Sequence, residues 1–352
     1  MAIARLTVNL GALQRNWKSL DRASGVSTET AAVVKADGYG LDAARVAGAL
    51  QSAGANSFFV AAAEEGVAVR GAVGDASIYV FSGYMENDAA LYASHNLIPL
   101  LNSPQQLQAW KADRGNQKFG LQLDTGMNRL GFEPDEFLSI DTAANNSCLL
   151  ISHLACADEP SHPLNRQQLD CFCQMTDTLA KNHGIARSLA ATGGTLLGAE
   201  FHFDMVRPGI GLYGGLPYSK AEPVVTLSLP VIQSRQVLAG EYVGYGATWK
   251  AEKNTTVATL AAGYADGIIR AVGEGRGSPL SIYAGDIVCP IIGRVSMDML
   301  TVDITQLDHE PAQLELLNHF QGVDEVARAA GTIGYEILTA CGQRYKRRYI
   351  AD

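Results

Sequence analysis

Short apolar, β-rich runs alternate with segments of helical periodicity over the first two-thirds of the chain. The segment Leu41–Ala53, for example, places apolar residues at 43, 46, 47 and 50, which is the spacing of one helix face. Eight strand candidates separated by helices match a (β/α)8 TIM-type barrel. A doubly wound open α/β sheet shares the alternation, but no G-x-G-x-x-G follows the first run, which disfavours its dinucleotide-binding form. The eight runs are Ala31–Lys35, Ser57–Ala62, Ile78–Phe81, Leu97–Leu101, Phe119–Leu123, Leu149–His153, Ala186–Ala191 and Met205–Leu212.

The pattern changes near residue 222. Beyond it, β-rich runs are separated by Gly, Asn and Asp turns instead of long helices, which predicts a mainly antiparallel β domain. We therefore predict an α/β chain with a barrel over residues 1–222 and a C-terminal β domain over residues 223–352. The β-rich runs are Val224–Leu238, Thr255–Ala262, Leu280–Ile287 and Ile291–Ile304.

The charge balance limits the classes of partner. The chain has 27 Lys and Arg against 36 Asp and Glu, a net charge of −9, which argues against general nucleic-acid binding. A basic cluster near the C-terminus is interpreted as a solvated chain end. No signal peptide and no apolar run long enough to span a membrane is visible, so we expect a cytoplasmic protein without membrane or nucleic-acid partners. The cluster consists of Arg344, Lys346, Arg347 and Arg348.

The six cysteines lack the paired spacing of a zinc site. We predict that they are reduced, as is usual for a cytoplasmic protein, and that the chain has no metal site.

Charged side chains follow several of the predicted barrel strands, at the end where barrels place their chemistry. Lys35 comes directly after an apolar run, so partial burial should lower its pKa and make its amine a nucleophile for an aldehyde. Arg129, His153 and Arg207 follow three other strands. Glycine-containing turns after the seventh and eighth strands can present backbone N–H groups to a phosphate. A lysine nucleophile beside a phosphate site suits pyridoxal 5'-phosphate, and it also suits a Schiff-base aldolase acting on sugar phosphates.

The run around Lys35, VVKADGYG at 33–40, is similar to the pyridoxal-phosphate attachment motif of alanine racemases. Further motifs follow in that family's order, from about residue 3 to about residue 350, so the chain as a whole resembles the alanine racemase family. These motifs are DTGMNRLG at 124–131, SH at 152–153, DMVRPG at 204–209, VGYG at 243–246, GYADG at 263–267, GRVSMD at 293–298 and YE at 335–336.

The resemblance implies pyridoxal-phosphate-dependent interconversion of L-alanine and D-alanine, serving peptidoglycan synthesis or alanine breakdown. It implies that Lys35 holds the cofactor covalently and acts as the base towards D-alanine. Tyr245 would act as the base towards L-alanine from the other subunit of a homodimer. Two bases are needed because inversion removes a proton from one face of a planar carbon and returns a proton to the other.

The resemblance also assigns roles to further residues. Arg207 would face the pyridine nitrogen and, with His153, would offset the cost of ionising the Tyr245 phenol. A guanidinium gives up a proton poorly, so the nitrogen should stay unprotonated, which limits transamination. Arg129 and Met297, the latter from the partner subunit, would lie near the substrate carboxylate. The implied phosphate contacts are Tyr39, Thr192, Gly209, Ile210 and Tyr335, and Tyr264 and Asp298 would line the access side.

Gln122 stands where this family often has a lysine that carries a carbamate. A neutral amide can still hydrogen-bond to Arg129, but with less electrostatic hold. We therefore predict a weaker clamp on the substrate carboxylate.

Three alternatives stay open. A racemase acting on another small amino acid, such as serine, would share the same motifs. A decarboxylase of this fold is disfavoured because such enzymes favour an acidic partner for the ring nitrogen, where this chain has Arg207. A non-catalytic pyridoxal-phosphate homeostasis protein is disfavoured because such proteins lack the domain that follows residue 222.

Overall fold

A computed structural model of the protein describes residues 4–140, 146–273 and 280–352. These residues form two units. The barrel unit contains the described residues of 13–212 together with 217–220, and the β unit contains 4–12, 213–216 and the described residues from 221 onwards. The units therefore differ from a single division at residue 222 in two main places, because the described residues 4–12 and the residues 213–216 belong to the β unit.

Parallel strands form the centre of the barrel unit. Among the described residues, seven of them pair in chain order. The last strand, Met205–Val206, pairs in parallel with Glu29–Thr30 at the beginning of the first strand, and the Arg207 N–H donates to the Ala190 carbonyl across 2.8 Å. These contacts close the described strands into a barrel with eight strand positions. The strands are Glu29–Thr30 and Ala32–Val33, Ser57–Val60, Ser77–Val80, Leu97–Leu101, Phe119–Gln122, Ser147–Ile151, Ala186–Ser188 and Met205–Val206.

Helices connect these strands and begin at residues suited to that position. Ser103 accepts a hydrogen bond from the Gln106 N–H and is followed by Pro104 at the first helical position. Tyr92 and Trp110, from two of the helices, pack edge to face with each other and with Tyr84, with ring centres 5.1 to 5.6 Å apart. The helices are Leu10–Ser24, which enters from the β unit, Ala43–Ala53, Ala63–Val73, Ala89–His95, Pro104–Arg114, Pro134–Leu138, Pro163–His183 and Thr192–Leu197.

The barrel strands are buried on both faces, which explains their nearly continuous apolar sequences. Every residue of Ser57–Val60 and of Phe119–Gln122 is buried. Polar and charged side chains are therefore confined mostly to the strand ends.

A mainly antiparallel sheet forms the β unit. Its long strand Val225–Val237 pairs with Gln313–Leu317 along its first half and with Thr255–Leu260 along its second half, so the central strands close on themselves. The sheet strands are Arg5–Asn9, Val225–Val237, Thr255–Leu260, Ser281–Ala284, Ile287–Ile292, Leu300–Asp303, Gln313–Leu317 and Lys346–Ile350. A short ribbon of Tyr242–Val243 and Trp249–Lys250 and the helices Val323–Ala330 and Gly334–Thr339 complete the unit.

The predicted fold class, a barrel followed by a mainly antiparallel β domain, is confirmed. Two features of the β unit differ from the sequence interpretation. Arg5–Asn9 pairs antiparallel with Val225–Val237 and parallel with Lys346–Ile350. The C-terminal basic cluster is largely solvent-exposed, as predicted, but it is part of the folded unit, because Lys346–Ile350 is a strand and Arg344 forms ion pairs.

No described helix combines the length and apolar character needed to cross a bilayer. Within the same residues, no group of three His, Cys, Asp or Glu side chains is placed to hold a metal ion. The six cysteines are free thiols, and Cys289 and Cys341 are buried.

Candidate active site

Lys35 lies where the first barrel strand ends, and a strained backbone segment follows it. Residues 36–39 all have φ between 53° and 63°, in the left-handed region. That conformation costs a non-glycine residue roughly 1–2 kcal/mol, so neighbouring contacts must stabilise it. One such contact is the Asp37 carboxylate, which accepts the Ala43 N–H across 2.9 Å. Backbone strain of this kind concentrates at functional sites.

The amine of Lys35 is partly desolvated and lies in a positively charged environment. Lys35 as a whole residue is exposed to solvent. Its amine is nevertheless surrounded by protein atoms, and the Nζ atom lies 5.7 Å from the centre of the Phe81 ring. This desolvation lowers the pKa of Lys35, Arg129 lowers it further, and Glu65 acts in the opposite direction. A lowered pKa increases the fraction of neutral amine, which is the nucleophilic form.

Arg207 is a buried cation, with only 2% of its surface exposed. Its guanidinium donates to the Ser152 carbonyl across 2.6 Å and to the Ser188 hydroxyl, and it faces the Phe59 ring at 5.8 Å. Burial lowers the pKa of Arg207 to about 9, so it remains protonated at pH 7. No carboxylate among the described residues pairs with it. Because an uncompensated buried charge is unfavourable, this guanidinium is suited to binding an electron-rich group.

His153 follows the sixth barrel strand and lies close enough to three cations to respond to them. Burial, Arg207, Arg129 and Lys35, in that order, lower the pKa of His153 to about 3. The imidazole is therefore neutral at pH 7 in this unit, whereas the sequence interpretation counted it with Arg207 among the cations. The same shift shows that the four side chains share one electrostatic environment at the barrel mouth.

The loop that carries Arg129 is organised by one carboxylate. The Oδ1 atom of Asp124 accepts the N–H groups of three successive residues, 126–128, at 2.8 to 3.1 Å. Its Oδ2 atom accepts the Arg129 N–H at 3.1 Å. Gln122 is buried at the end of the preceding strand, with 8% exposure. The backbone of the loop is thus fixed by Asp124, a role that sequence reasoning missed.

A group of small and hydroxyl residues surrounds the turn after the last barrel strand. The Thr192 hydroxyl accepts the N–H groups of Gly209 and Gly211 at 3.0 and 3.2 Å. A Cβ on Gly209 would lie 2.3 Å from the Tyr39 hydroxyl, so only glycine allows this approach. Ile210, whose side chain is fully buried, lies between the two glycines. Hydroxyls and backbone N–H groups brought together in this way suit a phosphate.

The remaining predicted site residues lie in the β unit. Tyr245 begins a short turn after Gly244 and is 72% exposed, and Tyr335 lies in the helix Gly334–Thr339. Tyr264 and Met297 are held in adjacent loops, because the Tyr264 N–H donates to the Ser296 carbonyl across 3.0 Å. Met297 is 54% exposed.

Arg344, which sequence reasoning placed in a solvated tail, connects these two loops. Its guanidinium lies 2.7 Å from the carboxylate of Asp298 and 3.1 Å from that of Asp266. Asp266 is nearly buried and also accepts the Gly263 N–H at 2.9 Å. The loops that carry Tyr264 and Asp298 are therefore joined through one side chain. The spacing of the motifs gives no signal for this contact.

Comparison with known proteins covers nearly the whole chain. Residues 8–217 match the family model of the alanine racemase N-terminal domain, and residues 224–349 match that of the C-terminal domain. The sequence is 55% identical to the alanine racemase of Dinoroseobacter shibae and 54% identical to that of Cereibacter sphaeroides, with 99% of each chain covered in both comparisons.

The chain belongs to the alanine racemase family. This confirms the resemblance and the enzyme class that the motifs predicted. Solved structures agree: the alanine racemase from Bartonella henselae with covalently bound pyridoxal phosphate superposes with a TM-score of 0.92 at 35% identity, covering 99% of this chain and 100% of that one. The biosynthetic alanine racemase from Pseudomonas aeruginosa gives 0.90 at 36% identity, with the same coverage.

Proposed function

We propose that this protein interconverts L-alanine and D-alanine, with pyridoxal 5'-phosphate bound covalently to Lys35 and with Tyr245 of the partner subunit as the second acid–base group. The observation that carries the proposal is the cluster at the barrel mouth. There, an amine with a lowered pKa lies among Arg129, a neutral His153 and the buried guanidinium of Arg207. A cationic pocket with a nucleophilic lysine suits an anionic aldehyde and a substrate carboxylate.

The residues present fit the proposed cofactor. Arg207 offers a buried donor that has no carboxylate partner among the described residues, which suits a pyridine nitrogen. Lys35 would hold the aldehyde carbon. The phosphate would be bound by the hydroxyl and N–H groups near the last strand and by a tyrosine of the β unit, namely Tyr39, Thr192, Gly209, Ile210 and Tyr335. When bound, pyridoxal phosphate withdraws electrons from the substrate Cα and so lowers the cost of removing its proton.

The two acid–base groups work on opposite faces of the substrate. In the direction from L- to D-alanine, the Tyr245 phenolate takes the Cα proton and the Lys35 ammonium delivers a proton to the other face. The reverse direction exchanges the two roles, so each turnover leaves the pair ready for the opposite enantiomer. Arg129 would orient the substrate carboxylate, aided by Met297 of the partner subunit, while Gln122 contributes no charge to that arrangement. Tyr264 and Asp298 would limit access.

We infer a homodimer because the β-unit residues of the site are exposed in a single chain. Tyr245 and Met297 are 72% and 54% exposed, and Tyr264 is 43% exposed. Exposed large apolar and aromatic side chains are typical of interaction surfaces. We place the enzyme in the cytoplasm, where its thiols stay reduced. We assign it to D-alanine supply for peptidoglycan or to alanine breakdown.

The decisive experiment follows L-alanine in deuterated water with the purified protein and pyridoxal phosphate. Loss of optical activity together with complete deuterium exchange at Cα is expected. Lys35→Ala should abolish both and also the visible absorbance of the lysine-bound cofactor. Tyr245→Phe should keep that absorbance but lose racemisation, whereas Tyr242→Phe, an exposed tyrosine of the same ribbon, should behave as the wild type.

Each alternative has its own result in the same assay. Faster turnover of serine than of alanine would overturn the substrate assignment. Release of carbon dioxide would indicate a decarboxylase. Cofactor binding without Cα exchange would indicate a homeostasis protein.

A further inference from the structure

Glu65 connects the ends of the first two barrel strands. It lies in the first turn of the helix Ala63–Val73. One oxygen of its carboxylate accepts the Ala36 N–H at 2.8 Å, and the other accepts the Ala61 N–H at 2.7 Å. Ala36 directly follows Lys35, and Ala61 directly follows the second strand. One carboxylate thus ties the backbone that carries Lys35 to the neighbouring strand.

This tie acts on the strained part of the chain. The left-handed segment 36–39 begins with the very N–H group that Glu65 accepts. The far end of the segment is fixed by the bond from the Ala43 N–H to Asp37. A hydrogen bond to a charged acceptor is stronger than a neutral one, so Glu65 is well suited to hold the near end. The direction in which Lys35 leaves the strand depends on that end.

Glu65 also supplies negative charge to the surroundings of Lys35. Among the described residues, the charged and titratable groups of this region are Arg129, His153 and Arg207 from other strand ends and Glu65 from the helix after the second strand. Burial and Arg129 favour the neutral amine of Lys35, whereas Glu65 favours its ammonium form. His153 is neutral and adds no charge at pH 7.

We propose that Glu65 is the positioning residue of Lys35: its carboxylate fixes the backbone next to the lysine and supplies the negative charge that the amine meets. The proposal rests on the role given to Lys35 above. It separates into two effects, hydrogen bonding and charge, that different substitutions remove. Glu65→Gln keeps the shape but removes the charge and one acceptor. Glu65→Asp keeps the charge but is one methylene too short to reach both N–H groups.

The test measures attachment of pyridoxal phosphate to the cofactor-free protein as a function of pH, from the visible absorbance of the lysine-bound form. In Glu65→Gln the pH midpoint of attachment should shift to lower pH, because the amine loses a charge that stabilises its protonated form. The dissociation constant of the cofactor should also rise about tenfold, as expected for loss of a charge-assisted hydrogen bond. In Glu65→Asp the constant should rise while the midpoint stays near that of the wild type.

Glu64→Gln is the matched control, because Glu64 is the exposed neighbour in the same helical turn. It should leave both the midpoint and the dissociation constant unchanged. A midpoint in Glu65→Gln equal to that of Glu64→Gln would overturn the proposal, since a purely structural role does not move it. If Glu65→Gln does not fold, Glu65→Asp decides: cofactor binding equal to wild type would overturn the positioning role. If wild-type protein forms no adduct at Lys35, the proposed function fails instead.

Discussion

The guanidinium of Arg344 and the carboxylate of Asp298 lie 2.7 Å apart, in a segment near the C-terminus and in a loop between two strands. The same guanidinium holds Asp266, whose side chain is only 6% exposed. Both aspartates follow residues proposed to line the substrate side of the site, Tyr264 and Met297. The contact therefore links the conformation of two loops that chain order separates by about 30 residues.

We predict that Arg344→Gln weakens substrate binding without affecting cofactor attachment. Removal of the cation leaves Asp266 as a nearly buried carboxylate without its ion-pair partner, which is unfavourable, so the loops should lose their fixed arrangement. The KM for alanine should rise several-fold, the melting temperature should fall, and the absorbance of the lysine-bound cofactor should stay unchanged. Steady-state kinetics and thermal unfolding measure these effects.

Arg348→Gln serves as the control, because Arg348 is an exposed residue of the strand that follows. It removes the same charge from the same basic cluster. If both variants raise KM equally, the effect belongs to overall charge and the contact with Asp298 is irrelevant to binding.

The sequence predicted the barrel well because its signals are local. Parallel strands buried on both faces appear as continuous apolar runs, and all eight runs coincide with observed strand positions within the described residues. Lys35 and Arg207 could be placed because a polar residue at the end of such a run must lie at the barrel mouth. These inferences need only the period of the pattern and the geometry of the fold.

Long-range contacts could not be predicted in the same way. Arg5–Asn9 is a five-residue strand whose partners begin at Val225 and Lys346, and nothing in its own sequence indicates them. The left-handed turn at 36–39 contains Ala and Tyr, which disfavour that conformation, so its sequence predicts a different backbone. Glu65 and Arg344 act through such contacts, and both were missed.

We predict that Asp124→Asn impairs binding of the substrate carboxylate. The carboxylate of Asp124 accepts four backbone N–H groups, and the amide would place an NH2 group against at least one of them. An intramolecular hydrogen bond contributes about 0.5–1.5 kcal/mol to stability, and the loop that would be displaced carries Arg129. The KM for alanine should rise about tenfold, in keeping with about 1.4 kcal/mol per factor of ten.

Gln122 is neutral and offers Arg129 no carbamate to bind. The orientation of Arg129 therefore depends more strongly on the loop that Asp124 fixes. The control is Asp135→Asn, at an exposed position in the helix Pro134–Leu138. It should leave the KM for alanine as in the wild type. An unchanged KM in Asp124→Asn would mean that Arg129 is oriented by its side-chain contacts alone.

We predict that His153 makes the protein less stable as the pH falls. The pKa of His153 is lowered to about 3 in the folded chain, below the ordinary value of about 6.5. Below pH 6.5 the imidazole therefore binds a proton in the unfolded chain but not in the folded chain. The free energy of unfolding consequently falls from pH 6.5 towards pH 3. The slope due to this one group approaches about 1.4 kcal/mol per pH unit.

Urea unfolding of the cofactor-free protein between pH 7 and pH 5 measures that slope. His153→Asn should show a shallower dependence than the wild type, and His309→Asn, at an exposed position of the β unit, should match the wild type. Equal slopes in His153→Asn and the wild type would contradict an imidazole that stays neutral in the folded chain.

We predict that Gly209→Ala damages the proposed phosphate site. The added Cβ would lie 2.3 Å from the Tyr39 hydroxyl and 3.3 Å from the ring carbon that bears it, so the phenol must move away from the turn at Gly209. Affinity for pyridoxal phosphate should fall at least tenfold, measured by titration of the visible absorbance.

Gly71→Ala is the control, because Gly71 lies in the helix Ala63–Val73 with open space around it. It should raise the free energy of unfolding by up to about 1 kcal/mol and leave cofactor affinity unchanged. Wild-type affinity in Gly209→Ala would show that the phosphate binds elsewhere.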